Sequence, residues 1–266
     1  MLDRLLSGAT DAGGAILRGM IYLFLALPAI VVVCASINPV DFLAFPPQGF
    51  TTKWYIAAFR SKPFMDSLFL STKLACIATL ISLAIGTPAA YAIDRHRFRG
   101  RETLQAFVLS PMIVPAVVLG IGLLQFLVLI GISQSFGALI LGHVVITLPY
   151  VVRTMTASFS LFDRALEQAA ANLRAPPLTV VRRVTLPILL PGLLSASVFS
   201  FVTSFGNITV SIFLTHGGRT TLPIQIFTYV DYGSDPTLAA VSTLVILVTV
   251  ALLMVVERVA GLQRVI

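Results

Sequence analysis

Six long apolar segments dominate this chain, and each is long enough to cross a lipid bilayer as a helix. About 20 helical residues span the roughly 30 Å of hydrocarbon in a membrane. A transmembrane β-barrel would instead show alternating segments of about ten residues, and these runs are continuous. The segments extend approximately over residues 20–37, 68–93, 104–130, 136–159, 186–214 and 238–256. The sequence therefore predicts an all-α polytopic membrane protein, with one transmembrane domain of six helices over residues 1–266.

Composition and charge agree with insertion into a membrane and set its direction. Only 11% of the residues are charged and 57% are hydrophobic, whereas soluble domains carry about 25% charged residues. With a cytoplasmic N-terminus, 13 of the 18 Lys and Arg residues fall on the cytoplasmic side, as the positive-inside rule requires. The five on the other side are Lys53, Arg60, Lys62, Lys73 and Arg219. Six spans are an even number, so both termini are predicted to be cytoplasmic.

Sequence motifs for catalysis are missing from the chain. It has no phosphate-binding loop, HExxH, paired-cysteine or GxSxG motif, and its three histidines, His96, His143 and His216, are scattered. We therefore expect neither an enzyme nor a metal site. Proton- or sodium-coupled carriers usually keep a charged residue inside the membrane, and His143 is the one titratable candidate near a span interior. A lone histidine there is more often a packing residue, but a stand-alone secondary transporter or channel stays open as an alternative.

A polar loop between the fourth and fifth segments reads LEQAAANLRAPPLTVVRRVTLPILLP over residues 166–191. It predicts a short helix, a break at Pro176 and Pro177, and a second short helix that ends at Leu186 and Pro187. Helical spacing places four residues on one small apolar face: Leu166, Ala169, Ala170 and Leu173. This face is typical of a docking element for a cytoplasmic protein. The alternative is an amphipathic helix that lies on lipid headgroups.

This loop resembles the EAA loop of permease subunits of binding-protein-dependent ABC importers. The matching positions are Glu167, Ala169, Ala170, Leu173, Ala175, Val184, Leu186 and Pro187. Four further segments are similar to the second permease of spermidine/putrescine-type importers. They are FPPQGFTTKWY (45–55), GTPAAYAIDRHRFRGR (86–101), PMIVPAVVLGIGLL (111–124) and DPTLAAVSTLVIL (235–247).

The resemblance implies a MetI-like fold and a set of partners. A second, homologous but different permease would complete the solute pathway. Two ATP-binding subunits would bind ATP and Mg, so this chain would need no cofactor, and a periplasmic or extracellular solute-binding protein would deliver the solute. The location would be the bacterial inner membrane. Residues of the loop at about 162–187 would couple to the ATPase: Glu167, Gln168, Ala169, Ala170, Leu173, Arg174 and Ala175.

Two residues of the loop depart from the family pattern. Gln168 stands at the second acidic position, and Arg174 stands where the family usually has glycine. Glycine suits a left-handed turn, a conformation that costs other residues about 1–2 kcal/mol. Pro176 restricts Ala175 to extended geometry and is expected to enforce the break without glycine.

The fifth segment carries a polar stripe with two interpretations. Ser197, Ser200, Ser204, Asn207 and Ser211 recur at spacings of three and four, flanked by Thr203. Such residues either line a solute pathway or mediate helix packing, and both interpretations stay open. The candidate pathway residues are Ser200, Thr203, Ser204, Asn207 and Ser211.

The resemblance points to a small amine-containing solute: a polyamine, an opine or an amino-acid derivative. Polyamine permeases of the resembled type tend to carry acidic residues around the positions of Gly206 and Asn207, and both residues are uncharged here. This departure leaves room for a zwitterionic or anionic solute.

Two other regions carry structural expectations. Pro111, Pro115, Gly120 and Gly122 predict a bend in the third segment, either as part of a moving gate helix or as a static kink. Residues 217–236 contain the apolar run LPIQIFTYV, which predicts either a short helix at the outer mouth or a connector on the membrane surface.

Overall fold

A computed structural model of the chain describes residues 2–133, 135–215, 218–232 and 235–260, and every regular element in those ranges is helical, as predicted. His216 lies outside the described residues. The helices are α1 (Leu2–Ser36), α2 (Lys53–Arg60), α3 (Lys62–Arg95), α4 (Arg101–Leu109), α5 (Ala116–Leu129), α6 (Phe136–Ser160), α7 (Arg164–Asn172), α8 (Pro177–Val180), α9 (Leu186–Phe205), α10 (Thr209–Leu214), α11 (Leu222–Tyr232) and α12 (Thr237–Ala260).

Contacts divide the chain into two units. The smaller contains Met1–Ser61 and Tyr229–Val248, and the larger contains Lys62–Thr228 and Thr249–Ile266. The candidate coupling loop and the polar stripe both belong to the larger unit. A single domain over residues 1–266 stays a prediction.

The third predicted span is broken rather than continuous. Within the described residues, five helices are long and apolar enough to cross a membrane, and a bent pair is a candidate for a sixth. This pair consists of Arg101–Met112 and Ala116–Leu129, which meet at 105°. The bend lies where Pro115 precedes α5, because proline has no N–H to continue the helical hydrogen bonds. The predicted bend is therefore present, while its role as gate or static kink stays open.

The bent pair crosses from one end of the larger unit to the other. Arg164, just after α6, donates to the Asp94 carbonyl near the end of α3 at 2.9 Å. Near the start of α6, the Lys73 ammonium of α3 lies 5.2 Å from the ring of Phe136. Hence α3 and α6 run in the same direction, and the bent pair between them must run in the opposite direction. We call the end at Asp94 the inner end and the end at Lys73 the outer end.

The fifth predicted span has different boundaries from those expected. The second short helix does not end at Leu186 and Pro187, because α8, a π turn at Val181–Thr185 and α9 form one helical run over Pro177–Phe205. The π turn interrupts the regular hydrogen bonding just before Pro187, where a proline would otherwise clash with the preceding turn. The run also ends at Phe205 rather than 214, and α10 follows as a separate short helix.

The larger unit contains two apolar clusters and a set of buried polar residues. The inner cluster joins α3, α6 and α9, with Ile93, Val152 and Leu189 among its members. The outer cluster joins α3, α5, α6 and α10, and it includes Leu74 and Val210. Along α3, α6 and α9, buried Ser and Thr side chains lie between the members of the two clusters, while His143 of α6 and Ser211 of α10 lie among residues of the outer cluster. These residues form a buried polar layer, which is part of the candidate functional site.

Glycines permit close helix approach at two places in this core. A Cβ atom at Gly86 would lie 2.8 Å from Cγ1 of Val151, and a Cβ atom at Gly142 would overlap Leu214. The missing side chains therefore allow α3 to approach α6, and α6 to approach α10, as small residues do in membrane bundles.

The smaller unit is organised around Asn38, which is fully buried. Its amide donates to the Ala44 carbonyl at 3.1 Å and accepts from the Gln48 N–H at 3.3 Å, while its carbonyl accepts from Trp54 Nε1 at 2.8 Å. These bonds close the segment between α1 and α2. Asp235 accepts from the N–H of Thr237 at the start of α12.

The apolar run LPIQIFTYV forms α11, so the short-helix alternative for this region is confirmed. Tyr229 of α11 donates to Asp235 at 2.8 Å. Burial, and then this bond to Asp235, raise the pKa of Tyr229 to about 12, so its hydroxyl stays protonated as a donor at neutral pH.

Candidate functional site

The first part of the polar loop forms α7, a helix of nine residues with defined ends. Asp163 caps its N-terminus by accepting from the Ala165 N–H at 2.9 Å, which satisfies one of the amides that a helix start leaves without a partner. The predicted short helix is therefore present.

Arg174, two residues after the end of α7, has the left-handed conformation, with φ of 59°. The Arg174 N–H donates to the Ala171 carbonyl, and the Ala175 N–H donates to the Ala170 carbonyl. This pair of bonds is the Schellman motif, in which the left-handed residue is usually glycine. The position thus has the geometry that favours glycine, although it holds arginine.

Helix α7 has two different faces. Leu166 and Leu173 are 46% and 84% exposed, and Ala169 between them is also exposed. Glu167 and Ala170 are half-buried and face their own subunit. Gln168 is exposed. Only part of the predicted apolar face is therefore available to another molecule.

Glu167 ties α7 to the inner ends of two other helices. Its Oε1 accepts from the Thr185 hydroxyl at 2.7 Å, and its Oε2 lies 3.7 Å from Nη2 of Arg95. Arg95 also lies 3.5 Å from the Asp94 carboxylate, which pairs with Arg164 at 3.3 Å. The loop is thus joined to α3 by two arginine–carboxylate pairs.

Arg95 is the central residue of this network, and its side chain is only 6% exposed. Its guanidinium lies over the rings of Phe162 and Phe159, at 5.0 and 5.9 Å from their centroids. A buried cation needs a charged or hydrogen-bonding partner. Glu167 and Asp94 supply that charge.

The buried polar layer is built around His143, which has no exposed surface. Its Nδ1 lies 2.8 Å from the Ser204 hydroxyl of α9, and its Nε2 lies 3.0 Å from the Ser211 hydroxyl of α10. One side chain of α6 therefore joins the helices on both sides of the break after Phe205. Ser82 of α3 extends the layer through its 2.7 Å bond to Thr147.

Hydrogen-bond donors and acceptors determine the tautomer of His143. The Ser211 hydroxyl donates its single proton to the Asn207 carbonyl at 2.7 Å, so it can only accept from His143. We therefore assign the proton of neutral His143 to Nε2, and Nδ1 accepts from the Ser204 hydroxyl. The layer then has a consistent donor and acceptor at each contact.

The structure separates the five candidate pathway residues. Ser200, Ser204 and Ser211 are buried at 0–2% exposure, a placement that favours the packing interpretation for these three serines. Thr203 and Asn207 keep part of their surface exposed. The Asn207 side-chain oxygen accepts from the Val210 N–H at 2.9 Å, so it also caps α10.

Comparison with known proteins places this architecture in a family. Residues 82–262 match the family described as binding-protein-dependent transport system inner membrane component. The spermidine/putrescine transport system permease protein PotC of Haemophilus influenzae is 31% identical, over 88% of this chain and 90% of its own length. The chain belongs to this permease family.

Another relative and a solved structure extend the comparison. PhnV of Salmonella paratyphi A, named as a candidate 2-aminoethylphosphonate transport system permease, is 27% identical over 94% of both chains. The permease fold is also similar to a chain of a bacterial ABC transporter that imports alginate, with a TM-score of 0.73 and 18% identity over 94% of this chain and 95% of that chain. The predicted family, fold class and ABC-importer permease function are confirmed, and the permease is not an enzyme.

Sequence reasoning missed Arg95 and Thr185 as residues of the permease loop network. Arg95 was counted only as a cytoplasmic charge. Its position as the last residue of a long apolar helix was an available signal, because such a residue is placed to meet the next cytoplasmic segment. Thr185 gave no signal, since its contact with Glu167 joins residues 18 positions apart.

Replacing Arg174 with glycine is expected to stabilise the permease slightly and to preserve ATP-coupled uptake. Glycine removes the left-handed cost of about 1–2 kcal/mol but adds about 0.5–1 kcal/mol of backbone entropy loss. The net gain should be about 0–1.5 kcal/mol, measurable by unfolding in mixed micelles. Arg174→Ala is the control, since it removes the charge and keeps the strain. Complete loss of uptake in Arg174→Gly, with normal assembly, would contradict this account of the turn.

Proposed function

We propose that this permease forms half of the pathway for a small amine-containing solute and is driven through α7. A homologous but different permease would supply the other half, two ATP-binding subunits would hydrolyse ATP, and a periplasmic or extracellular binding protein would deliver the solute. The observation that carries the coupling proposal is the exposed face of α7. Glu167, on the opposite side of this helix, contacts Thr185 and Arg95.

The exposed face of α7 has the properties of a docking surface. Leu166, Ala169 and Leu173 follow one another at spacings of three and four, so they form one exposed stripe. An apolar helical stripe of this kind fits a groove in a partner protein. Small alanine side chains allow the partner to approach the backbone closely.

Coupling also requires that α7 transmits its movement to the spans. Glu167 contacts Thr185 and Arg95, which belong to the helical run of α9 and to α3. A displacement of α7 would therefore act on both helices at once. In this proposal Glu167 serves coupling from inside the subunit, and Leu173 and its neighbours meet the ATPase.

The proposed topology has both termini in the cytoplasm. The larger unit contains four crossings between its inner and outer ends: α3, the α4–α5 pair, α6 and the α8–α10 run. With α1 and α12, which are long and apolar enough to span, the total is six. The inner end carries the arginine-rich loops, so it faces the cytoplasm.

Substitution of Leu173 tests the docking face. Because Leu173 is 84% exposed, Leu173→Asp should leave folding within about 0.5 kcal/mol and reduce ATP-driven uptake in proteoliposomes by tenfold or more. Leu161→Asp is the matched control, since Leu161 is 83% exposed just before the loop. Equal uptake by Leu173→Asp and the wild type would overturn the proposal. Uptake without ATPase subunits would favour the alternative of a stand-alone transporter or channel.

The solute is proposed to carry an anionic group beside its amine. Names of the relatives include spermidine and putrescine for PotC and 2-aminoethylphosphonate for PhnV, which all contain amines. The uncharged Gly206 and Asn207 offer no negative partner to a polycation. The affinities of the cognate solute-binding protein for different amines test whether the solute carries an anionic group. Tight binding of a zwitterion such as 2-aminoethylphosphonate with weak binding of putrescine is expected, and the reverse order would refute the anionic group.

Asn207 and Thr203 are the proposed pathway residues, since they combine polarity with partial exposure. Ser200, Ser204 and Ser211 are assigned a supporting role behind them. Asn207 lies in the break between α9 and α10, where the chain leaves its helical path. Such non-helical backbone within a membrane usually lines a protein interior or a water-filled cavity.

A further inference from the structure

A cleft at the outer end of the larger unit lies far from the coupling loop. It has a volume of about 590 Å³ and is formed by the first turns of α3, the start of α6 and the segment before α11. A volume of this order is typical of small-molecule sites, which occupy about 300–1,000 Å³. The cleft is therefore large enough for a small solute or a lipid headgroup.

Positive charge dominates the lining of the cleft. Lys62, Lys73 and Arg219 line it together with a single acidic residue, Asp66. None of these four side chains forms a salt bridge within the part of the chain that the structure describes. Three cations against one carboxylate leave a net charge of +2 that no described side chain neutralises.

The polar wall of the cleft is held in place by hydrogen bonds. The hydroxyls of Ser67 and Thr220 are 3.3 Å apart, and Thr220 donates to the side-chain oxygen of Gln225 at 3.1 Å. One turn further along α3, Ser71 accepts from the Leu222 N–H at 2.7 Å. These bonds join the segment that carries Arg219 to the helix that carries both lysines.

Lys73 is oriented independently. Its ammonium lies 5.2 Å from the ring centroid of Phe136, within the distance of a cation–π contact. Its charge is therefore held at the cleft by a neutral partner, and the ammonium keeps its capacity to bind an anion.

The length of α3 places the cleft outside the hydrocarbon region. The helix has 34 residues, which corresponds to about 51 Å at 1.5 Å per residue, whereas the hydrocarbon is about 30 Å thick. With the inner end of α3 at the cytoplasmic surface, the segment from Lys62 to Lys73 projects beyond the opposite surface. The placement on the outer face rests on the proposed topology, but the shape and charge of the cleft do not.

We propose that this cleft is a binding site for a phosphate, phosphonate or carboxylate group. Lys62, Lys73 and Arg219 supply the charge-assisted hydrogen bonds that such a group accepts, and Asp66 is placed to receive an ammonium carried by the same ligand. Two sources share this chemistry: the anionic group of a free solute, and the headgroup of an anionic lipid. The site is separate from Thr203 and Asn207.

Binding of inorganic phosphate to the full-length chain tests the site directly. In nanodiscs of phosphatidylcholine at low salt, equilibrium dialysis should detect phosphate binding by the wild type. Lys73→Gln and Arg219→Gln should each raise Kd by about threefold, and the double variant by about tenfold, since exposed charge pairs contribute modestly. Asp66→Asn should lower Kd, because it removes a repulsive charge. Lys53→Gln is the control, as Lys53 pairs with Asp41 outside the cleft.

A second arm distinguishes the two sources. In nanodiscs that contain phosphatidylglycerol, retention of this lipid is measured by native mass spectrometry for the wild type, the double variant and Lys53→Gln. Charge-dependent phosphate binding supports a free-anion site. Lipid retention that falls only in the double variant, without phosphate binding, supports a headgroup site. If substitution of Lys73, Arg219 and Asp66 changes neither phosphate binding nor lipid retention, the proposal is wrong. This result would leave ATP-driven uptake and the coupling proposal untouched.

Discussion

His143→Ala is expected to lower the free energy of unfolding of the permease by about 3–5 kcal/mol. Truncating a fully buried side chain costs about 2–5 kcal/mol through lost contacts and the cavity left behind. The substitution also removes the bonds to Ser204 and Ser211, and hydrogen bonds of this kind contribute on average about 0.6 kcal/mol each in membrane proteins. Unfolding by detergent titration in mixed micelles measures the change.

Transport should fall together with stability in His143→Ala. Among the described side chains, His143 alone bonds to helices on both sides of the break between α9 and α10, and Asn207 lies in that break. Without the imidazole, α10 keeps its own bonds from Ser211 to Asn207 but loses its polar connection to α6. We expect ATP-driven uptake to decrease at least tenfold at the same amount of assembled protein.

Two further variants test whether the effect comes from the hydrogen bonds of His143 rather than from replacing any histidine. His143→Gln keeps one donor and one acceptor in its side-chain amide, so it should retain more stability and uptake than His143→Ala. His96→Ala changes an exposed histidine and should have no effect beyond about 0.5 kcal/mol. Wild-type stability in His143→Ala would show that the polar layer does not hold α6 to α9 and α10.

Arg95→Ala is expected to weaken the connection of α7 to α3 and to destabilise the inner end by about 2–3 kcal/mol. Removing one partner of a buried ion pair costs about 3–5 kcal/mol. The loss of stability expected for Arg95→Ala is smaller, because Glu167 is 19% exposed and the Arg95–Glu167 separation is 3.7 Å. The substitution also removes the packing of the guanidinium on Phe159 and Phe162.

Arg95→Ala should reduce ATP-driven uptake more strongly than it reduces the stability of the permease. In the complete transporter we expect ATP-driven uptake to fall tenfold or more while ATP hydrolysis continues, because α7 still presents Leu173 but keeps only the Arg164–Asp94 pair as its link to α3. The ratio of solute imported to ATP hydrolysed is the measurement. An unchanged ratio would contradict the proposed transmission through Arg95 and Glu167.

A double-mutant cycle isolates the contact between Arg95 and Glu167. If the pair acts as a unit, Arg95→Ala combined with Glu167→Ala should cost less than the sum of the two single changes. Thr185→Val keeps the side-chain volume and removes only the bond to Glu167, so its effect should be smaller. Arg99→Ala is the control, since Arg99 is an exposed arginine of the same region.

The polar stripe of the fifth segment shows how far sequence periodicity reaches. Spacings of three and four correctly indicate residues on a shared helical face within α9. They do not reveal whether that face meets a pathway or another helix of the same subunit. His143 is 61 positions from Ser204 and 68 from Ser211, so only the folded chain assigns the serines to a buried layer. The break after Phe205 was also not predicted, although Gly206 and Asn207 follow it directly.

The coupling loop shows the same division between local and distant interactions. Its short helix, its turn at Arg174 and its exposed leucines follow from neighbouring residues and from hydropathy. The inward direction of Glu167 depends on Arg95 and Thr185, which lie far away in the chain.

By itself, the sequence determined the membrane class, the helical architecture, the permease family and the position of the loop, since these depend on local hydropathy and on motifs of adjacent residues. Only the tertiary structure decided which polar side chains are buried, where the third and fifth segments bend or break, and which charges at the outer end form no salt bridge with another described residue. Those properties depend on contacts between residues that are distant in sequence, and local patterns do not encode such pairings.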